Sequence, residues 1–440
     1  MKRKDFLLFL PIGDYDCMSF ELIVLFSMLA VFALGVFLIK LPAGVSLMLA
    51  AITGALVGGE GIPIRHLVEG SFGFLEAILI IATAMIFMKS AEATGALSSI
   101  SYYMIKLLHK RPTLLFVIIS FFVMFPGMLT GLSSACILTT GALVIPALLA
   151  MGMPKTAAGS FIAIAAVLGE IAPPISIPVM IIGGGVDMPY IGFNGPLFLA
   201  SFPAAIIAAV FYRKKYLKKF VIEDVLDKLE KPVYDKYGIK LFIPILLVII
   251  LLFSEQLFPE FMIHLGVPLI FMIGAVASFG TGNKFKVMEV FQTAIRNAMP
   301  VMAILIGVGM FLQILTLTGV RGYLAVSALQ LPDEIKYLAA VIMPFFGSAY
   351  AAASVIGVPL VFVFLGKNSI VVASALALMA AMGDLMPPPS LLCAYAGQMV
   401  GEPNHFKILR LSAGLIAVIA IIALLMIYFA NEIGQFINLF

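Results

Sequence analysis

Two acidic residues, Glu170 and Asp384, stand inside apolar stretches that are long enough to cross a bilayer. A carboxylate deep in hydrocarbon is costly, so by default it marks a functional site. Each acid follows a glycine and precedes two apolar residues, a double proline and a serine, in the segments 169–176 and 383–390. The two acids could therefore bind a substrate or coupling ion, cap a helix end, or carry a proton, and the sequence leaves all three roles open.

The double prolines predict a break in each of these two helices. Proline removes a backbone donor and clashes with the carbonyl one turn earlier, and it excludes the preceding residue from the α region. In a membrane, the backbone groups freed by such a break must find partners in protein or in a wet cavity. Two broken helices at matching positions of two halves point to a transporter binding site.

Composition sets the class of protein. The chain has 440 residues, 62% hydrophobic and 11% charged, with a mean hydropathy of +1.15. Soluble proteins carry about 25% charged residues, so the sequence predicts an all-α polytopic membrane protein with room for about a dozen spans. The net charge of +4 indicates no nucleic-acid partner. Cys17, Cys136 and Cys393 lack paired or metal-like spacing, and we predict no disulfide, resident metal or cofactor.

Internal repetition predicts the domain organisation. The first repeat covers residues 18–212, a lysine-rich cytoplasmic linker covers 213–238, and the second repeat covers 239–430. Each repeat is predicted to hold a re-entrant hairpin and a broken helix, at 113–151 and 156–186 in the first and at 337–366 and 369–401 in the second. If the hairpins do not cross the membrane, the repeats are inverted, and the lysine and arginine bias fits the positive-inside rule. If their arms cross, the repeats are parallel.

Inverted repeats would bring four irregular tips together near the midplane of the membrane. Unwound carbonyls and hydroxyls suit a hard cation such as Na⁺, and half-helix N-termini favour an anionic substrate. The predicted Na⁺ ligands are Thr130, Gly131, Ser133, Ser134, Ala172, Pro173, Ser176, Gly347, Ser348, Met386, Pro387 and Ser390. The residues predicted to bind the substrate or couple it to the ion are Ser134, Glu170, Ser354 and Asp384. For any single serine, helix packing is the alternative.

Four motifs resemble a known family. The runs TGLSSA at 130–135, VIPA at 144–147, APPISIP at 172–178 and LMPPPS at 385–390 are similar to the large membrane subunit of tripartite ATP-independent periplasmic (TRAP) transporters. The resemblance covers roughly residues 20–430. It implies a scaffold domain and a moving transport domain that works as an elevator. It also implies Na⁺-coupled uptake of an organic acid such as a C4-dicarboxylate or sialic acid, a small membrane subunit, a periplasmic binding protein, and a bacterial inner-membrane location.

Other functions stay open at this point. Glu170 and Asp384 stand where we expect neutral or apolar residues from this family, and the first hairpin tip lacks its usual Ser-Gly-Ser order. A stand-alone carboxylate carrier coupled to H⁺ or Na⁺ is therefore an alternative. A channel or an intramembrane aspartyl protease is a more remote one, because Gly383-Asp384 resembles part of a Gly-x-Gly-Asp motif. However, position 381 is alanine, and the only Tyr-Asp pair in an apolar setting is Tyr15-Asp16.

Overall fold

The computed structural model describes residues 19–217, 220–257, 265–329, 332–346, 348–387 and 390–437. These ranges contain helices and loops and no strand, which confirms the predicted all-α polytopic class. Six helices in these ranges are long and apolar enough to cross a membrane, or seven if the bent pair Ile64–Ser71 and Leu75–Ala93 is one span. The six are Pro112–Thr130, Ser133–Ala150, Asn194–Tyr216, Tyr234–Ser254, Val287–Leu317 and His405–Tyr428.

The first half and the linker contain thirteen of the described α-helices. They are α1 (Phe20–Ala33), α2 (Ala43–Val57), α3 (Ile64–Ser71), α4 (Leu75–Ala93), α5 (Ala96–Leu108), α6 (Pro112–Thr130), α7 (Ser133–Cys136), α8 (Ala142–Ala150), α9 (Lys155–Ile171), α10 (Ile177–Gly185), α11 (Asn194–Tyr216), α12 (Ile222–Leu226) and α13 (Tyr234–Tyr237).

The second half contains the remaining described α-helices. They are α14 (Ile243–Leu257), α15 (Val267–Ala277), α16 (Val287–Leu317), α17 (Val320–Leu329), α18 (Asp333–Ile342), α19 (Ala349–Ala352), α20 (Val358–Val363), α21 (Ser369–Ala381), α22 (Leu391–Val400), α23 (His405–Tyr428) and α24 (Ala430–Ile437). Helix α16 has 31 residues, more than the roughly 20 that a membrane span needs. Its first turns carry exposed Glu289 and Arg296, so the helix extends beyond its apolar run.

The two predicted hairpins have return arms of the same build. In the first, α7 passes through a π-helical segment, Ile137–Gly141, into α8. In the second, α19 passes through the π-helical segment Ala353–Gly357 into α20. Single π-helical turns inside α-helices are rare overall, but those that occur are often found at functional sites. The structural match between these arms thus extends the repetition seen in the sequence.

The described helices break at both double-proline segments. Helix α9 ends at Ile171 and α10 begins at Ile177, and the Pro173–Pro174 peptide between them is cis. Helix α21 continues as the 3₁₀ turn Met382–Asp384, and α22 begins at Leu391. Glu170 thus lies in the last turn before the first break, and Asp384 ends the 3₁₀ turn before the second.

Contacts at the ends of the two predicted hairpins differ. Helix α8, at the end of the first, packs against α12 and against α5, which directly precedes α6 in the chain. In the second hairpin, Lys367 Nζ, just after α20, donates to Tyr337 Oη in α18 at 3.0 Å. The same ammonium donates to the carbonyls of Ile427 and Tyr428 at the end of α23. Lys367 therefore ties the second hairpin at its base.

Glycines allow the first hairpin to lie directly against the first broken helix. A Cβ on Gly169 of α9 would stand 2.7 Å from the carbonyl oxygen of Met124 in α6. A Cβ on Gly127 of α6 would stand 2.7 Å from the carbonyl carbon of Gly169. Only glycine permits so close an approach of two helix backbones. This contact places the tip of the hairpin next to the break.

The linker is bonded to helix α5. The backbone N–H of Val233 donates to Ser99 Oγ at 3.1 Å, and Tyr103 Oη donates to Asp235 Oδ1 at 2.6 Å. This second hydrogen bond raises the pKa of Tyr103, which lies outside the apolar spans, to about 12. The linker is thus held against the first half of the chain.

Candidate functional site

The Asp384 carboxylate joins the two hairpin tips. Its Oδ2 accepts a hydrogen bond from Ser133 Oγ of the first hairpin at 2.9 Å. Its Oδ1 accepts one from the backbone N–H of Ala349, the first residue of the second return arm, at 2.9 Å. Both oxygens act as acceptors, as an ionised carboxylate does, and hydrogen bonds to a charged group are the stronger kind. Asp384 therefore caps the N-terminus of α19 in the second hairpin. It does not cap α22, the half-helix that follows the second break.

A tyrosine of the second hairpin forms a further hydrogen bond between the two hairpin tips. Tyr350 is 5% exposed, and its hydroxyl donates to the carbonyl oxygen of Gly131 at 3.1 Å. Gly131 has φ +67°, and a Cβ there would meet Ile177, the first residue of α10, at 2.3 Å. The first hairpin tip, the second hairpin tip and both broken helices thus meet in one place.

Glu170 lies in this cluster without a hydrogen bond. The residue is fully buried, and neither carboxyl oxygen has a hydrogen-bond partner among the described residues. Ser133 and Tyr350 approach its carboxyl group and Asp384 lies within electrostatic range, but the two hydroxyls are already engaged with Asp384 and Gly131. Buried polar groups in native proteins are nearly always satisfied. Glu170 is therefore an exception to this rule among the described residues.

The serines that follow the two breaks are exceptions of the same kind. Ser176 and Ser390 are fully buried, and neither hydroxyl has a described partner. Ser390 has φ +54°, a left-handed conformation that a residue with a side chain adopts at a cost and that often occurs at functional sites. The carbonyl oxygens of Ala172 and Pro173 also accept no hydrogen bond from the described part of the chain. Unpaired oxygens therefore stand at both breaks.

Tyr190 holds the first break in shape. Its hydroxyl donates to the carbonyl of Pro174 at 3.1 Å and accepts from the N–H of Ser176 at 3.0 Å. The N–H of Ile175 donates to the carbonyl of Met128 in α6 at 3.2 Å. The break is thus fixed by a loop residue and by the hairpin, while the oxygens of Ala172 and Pro173 are left unpaired.

Other predicted site residues have different surroundings. Thr130 Oγ1 donates to the Pro126 carbonyl and accepts from the N–H of Leu132, so it shapes the tip. Ser354 is buried and donates to the Ala351 carbonyl at 3.1 Å. Those that are partly exposed are Ser134, Ser348, Met386 and Pro387. Gly347 lies outside the described residues.

Two residues that hydrogen-bond to the hairpin tip and to the first break are not among those predicted from the sequence. Tyr350 lies inside the predicted second tip, where a polar aromatic side chain among small residues is a usable signal. Tyr190 gave no signal, because it lies in a loop fourteen residues after the serine to which it bonds. Its role depends on chain folding alone.

Comparison with solved structures shows the same fold in two transporters. One is MtrF of Neisseria gonorrhoeae, described as one of a class of antimetabolite efflux pumps, with 16% identity, a TM-score of 0.59, and coverage of 84% of each chain. The other is the YdaH transporter of Alcanivorax borkumensis, with 17% identity, a TM-score of 0.56, and coverage of 84% of this chain and 90% of that one. At these identities the likeness shows the fold alone.

Sequence comparison assigns the family. No curated protein matches the chain. The family model for the DctM component of the tripartite ATP-independent periplasmic transporter matches residues 29–432, nearly the whole chain. The chain therefore belongs to the DctM family of TRAP transporter membrane components.

Proposed function

We propose that this secondary transporter imports a small organic anion, a dicarboxylate or other carboxylate, together with Na⁺. The observation that carries the proposal is the meeting of both hairpin tips and both helix breaks at Asp384, surrounded by buried oxygens without partners. Carbonyl, hydroxyl and carboxylate oxygens are the ligands that hard cations take. The N-terminal ends of the half-helices and return arms favour an anion beside them.

The residues of this cluster have two proposed roles, ligand binding and closure of the hairpins. In this proposal Ser176, Ser390 and the carbonyls of Ala172 and Pro173 supply oxygens to the cation. Glu170, whose carboxyl group is also unpaired, binds the substrate or couples it to the ion. Asp384 holds the two tips closed through Ser133 and Ala349. Ion binding and hairpin closure are then coupled, since they share residues. The tie at the base of the second hairpin and the shared build of the two return arms support inverted repeats and a transport domain that moves as one unit in an elevator.

The proposed partners are a small membrane subunit and a periplasmic substrate-binding protein in the bacterial inner membrane. The tripartite family supports this assignment. The alternative is a stand-alone carboxylate carrier coupled to H⁺ or Na⁺ through Glu170 and Asp384. Family membership favours either carrier over a membrane protease or a channel.

The test is uptake of labelled C4-dicarboxylates and sialic acid into proteoliposomes, with imposed Na⁺ or H⁺ gradients and with or without a periplasmic binding protein. We expect uptake that needs an inward Na⁺ gradient and that falls in Ser176→Ala and Ser390→Ala. Full uptake driven by an H⁺ gradient alone, and abolished in Glu170→Gln, would overturn the Na⁺ proposal and establish the alternative.

Thermal stability in detergent gives a second measurement that needs no substrate. A ligand that binds only the folded state adds about 2.7 kcal/mol of stability at 100 times its dissociation constant. We therefore expect NaCl, but not choline chloride at the same ionic strength, to raise the melting temperature, and the two serine variants to need more Na⁺. Equal melting in both salts would contradict Na⁺ binding.

A further inference from the structure

A large basic cavity lies at the start of α6, the opposite end of that helix from the hairpin tip. Its volume is about 610 Å³, and it opens between the start of α6 and the end of α11. Three of its lining side chains are basic, His109, Arg213 and Lys214. Nothing in the proposed transport cycle uses it.

The positive charge of this cavity is not neutralised within the described part of the chain. Arg213 and Lys214 form no ion pair or hydrogen bond with a described side chain. The nearest acids along the chain, Glu223 and Asp224 of α12, are exposed and pair with neither of them. His109 Nδ1 lies 2.8 Å from the Lys106 carbonyl, which can only accept. Nδ1 is therefore the donor in that contact, and Nε2 has no described partner. The cavity thus has the charge that an anion would complement.

The N-terminus of α6 adds to this charge. The helix begins at Pro112, which also lines the cavity, and its N-cap residue Arg111 makes no capping hydrogen bond through its side chain. A nineteen-residue helix carries partial positive charge and free N–H groups at this end. Cavity, basic side chains and helix end all favour an anionic group.

The position of the cavity indicates which anion it fits. Helices α6 and α11 are both long and apolar enough to cross a membrane, and the cavity lies where one begins and the other ends. Lys215, next in the chain, stands 5.2 Å and 5.4 Å from the ring centres of Phe211 and Tyr216, an arrangement typical of a membrane interface. The remaining lining residues are the apolar Leu217, Phe220 and Ile222. A cavity with basic residues and apolar walls at the depth of the lipid headgroups is complementary to a phospholipid. Its volume is larger than inorganic phosphate needs.

We propose that this cavity binds the headgroup of an anionic phospholipid. Arg213, Lys214 and His109 face its phosphate, and the apolar residues contact the glycerol and the first acyl carbons. Basic pockets between membrane helices on the cytoplasmic side are suited to such headgroups, and the lysine bias predicts that this is the cytoplasmic end. The lipid would then hold the base of the first hairpin against the linker.

The test is the thermal stability of the full chain in detergent, titrated with phosphatidylglycerol, cardiolipin or phosphatidylcholine. We expect the two anionic lipids to raise the melting temperature and phosphatidylcholine to leave it unchanged. Arg213→Ala/Lys214→Ala should need roughly 25-fold more anionic lipid, since each basic residue near the surface contributes about fivefold in affinity. Lys228→Ala/Lys231→Ala, which removes the same charge from exposed linker positions, should respond like the wild type.

Two results would overturn the proposal. One is an equal response to anionic lipid in both double variants, and the other is an equal response of the wild type to phosphatidylcholine. A titration with inorganic phosphate distinguishes the two sources of a phosphate group. If phosphate alone reproduces the stabilisation, the cavity is a site for a soluble anion and not for a lipid.

Discussion

Replacing Glu170 by methionine should stabilise the protein and abolish transport. The carboxyl group is fully buried with no described hydrogen-bond partner, and burying such a group costs about 1–3 kcal/mol in proteins. Methionine has a similar length and helix propensity but no polar atom to desolvate. The substitution should therefore raise the free energy of unfolding by about 1–3 kcal/mol, which corresponds to a rise in melting temperature on the order of 1–5 °C.

The amino-acid composition of the chain determines how its thermal unfolding can be detected. It contains no tryptophan, so intrinsic tryptophan fluorescence cannot report unfolding. Cys136 and Cys393 are buried and unpaired, and a fluorogenic thiol reagent would label them only as the protein unfolds. A Cys17→Ser background removes the third thiol, so that only the two buried ones report. Transport is measured on the same preparations in proteoliposomes.

The control is Leu168→Met, a buried apolar position in the same helix. A swap of this kind, which conserves volume, usually costs less than about 1.5 kcal/mol, and transport should continue. If Glu170→Met instead melts several degrees below the wild type, the carboxyl group has stabilising partners in the folded protein. That result would refute the argument from its missing hydrogen bonds, and continued transport would refute its role in binding the substrate or coupling it to the ion.

Four further substitutions are predicted, each measured by thiol-dye melting. Asp384→Ala leaves two buried donors unpaired and should cost about 3 kcal/mol or more; wild-type melting would show that the bridge between the hairpin tips does not form. Tyr350→Phe removes one neutral hydrogen bond and should cost about 0.5–1.5 kcal/mol while slowing transport; transport at the full rate would argue against coupling between the tips. Gly169→Ala should cost about 1–3 kcal/mol by forcing α6 from α9, and unchanged stability would contradict that close contact. Tyr103→Phe should cost less than about 1 kcal/mol and keep transport. Because the hydrogen bond to Asp235 raises the pKa of Tyr103 to about 12, the variant should lose a high-pH component of an ultraviolet difference titration; loss of a component near the ordinary tyrosine pKa of about 10 instead would contradict that bond.

The sequence alone determined the class of protein and the location of its irregular segments. Hydropathy over 440 residues leaves a membrane protein as the only class, and membrane helices follow because every backbone group in lipid must be paired within its own segment. The double prolines set the helix ends near Ile171 and Ala381, since the effect of proline on the backbone is local. Local rules of this kind need no knowledge of the rest of the chain.

Only the tertiary structure decided which partners the buried acids have. Glu170 and Asp384 occupy matching positions in the sequence, yet Asp384 accepts two hydrogen bonds and Glu170 accepts none. The difference depends on Ser133 and Ala349, which are distant in the chain and meet Asp384 through packing of the hairpins. Hydrogen bonds require distances within a few tenths of an ångström, and such distances follow from the folded chain and not from residue spacing.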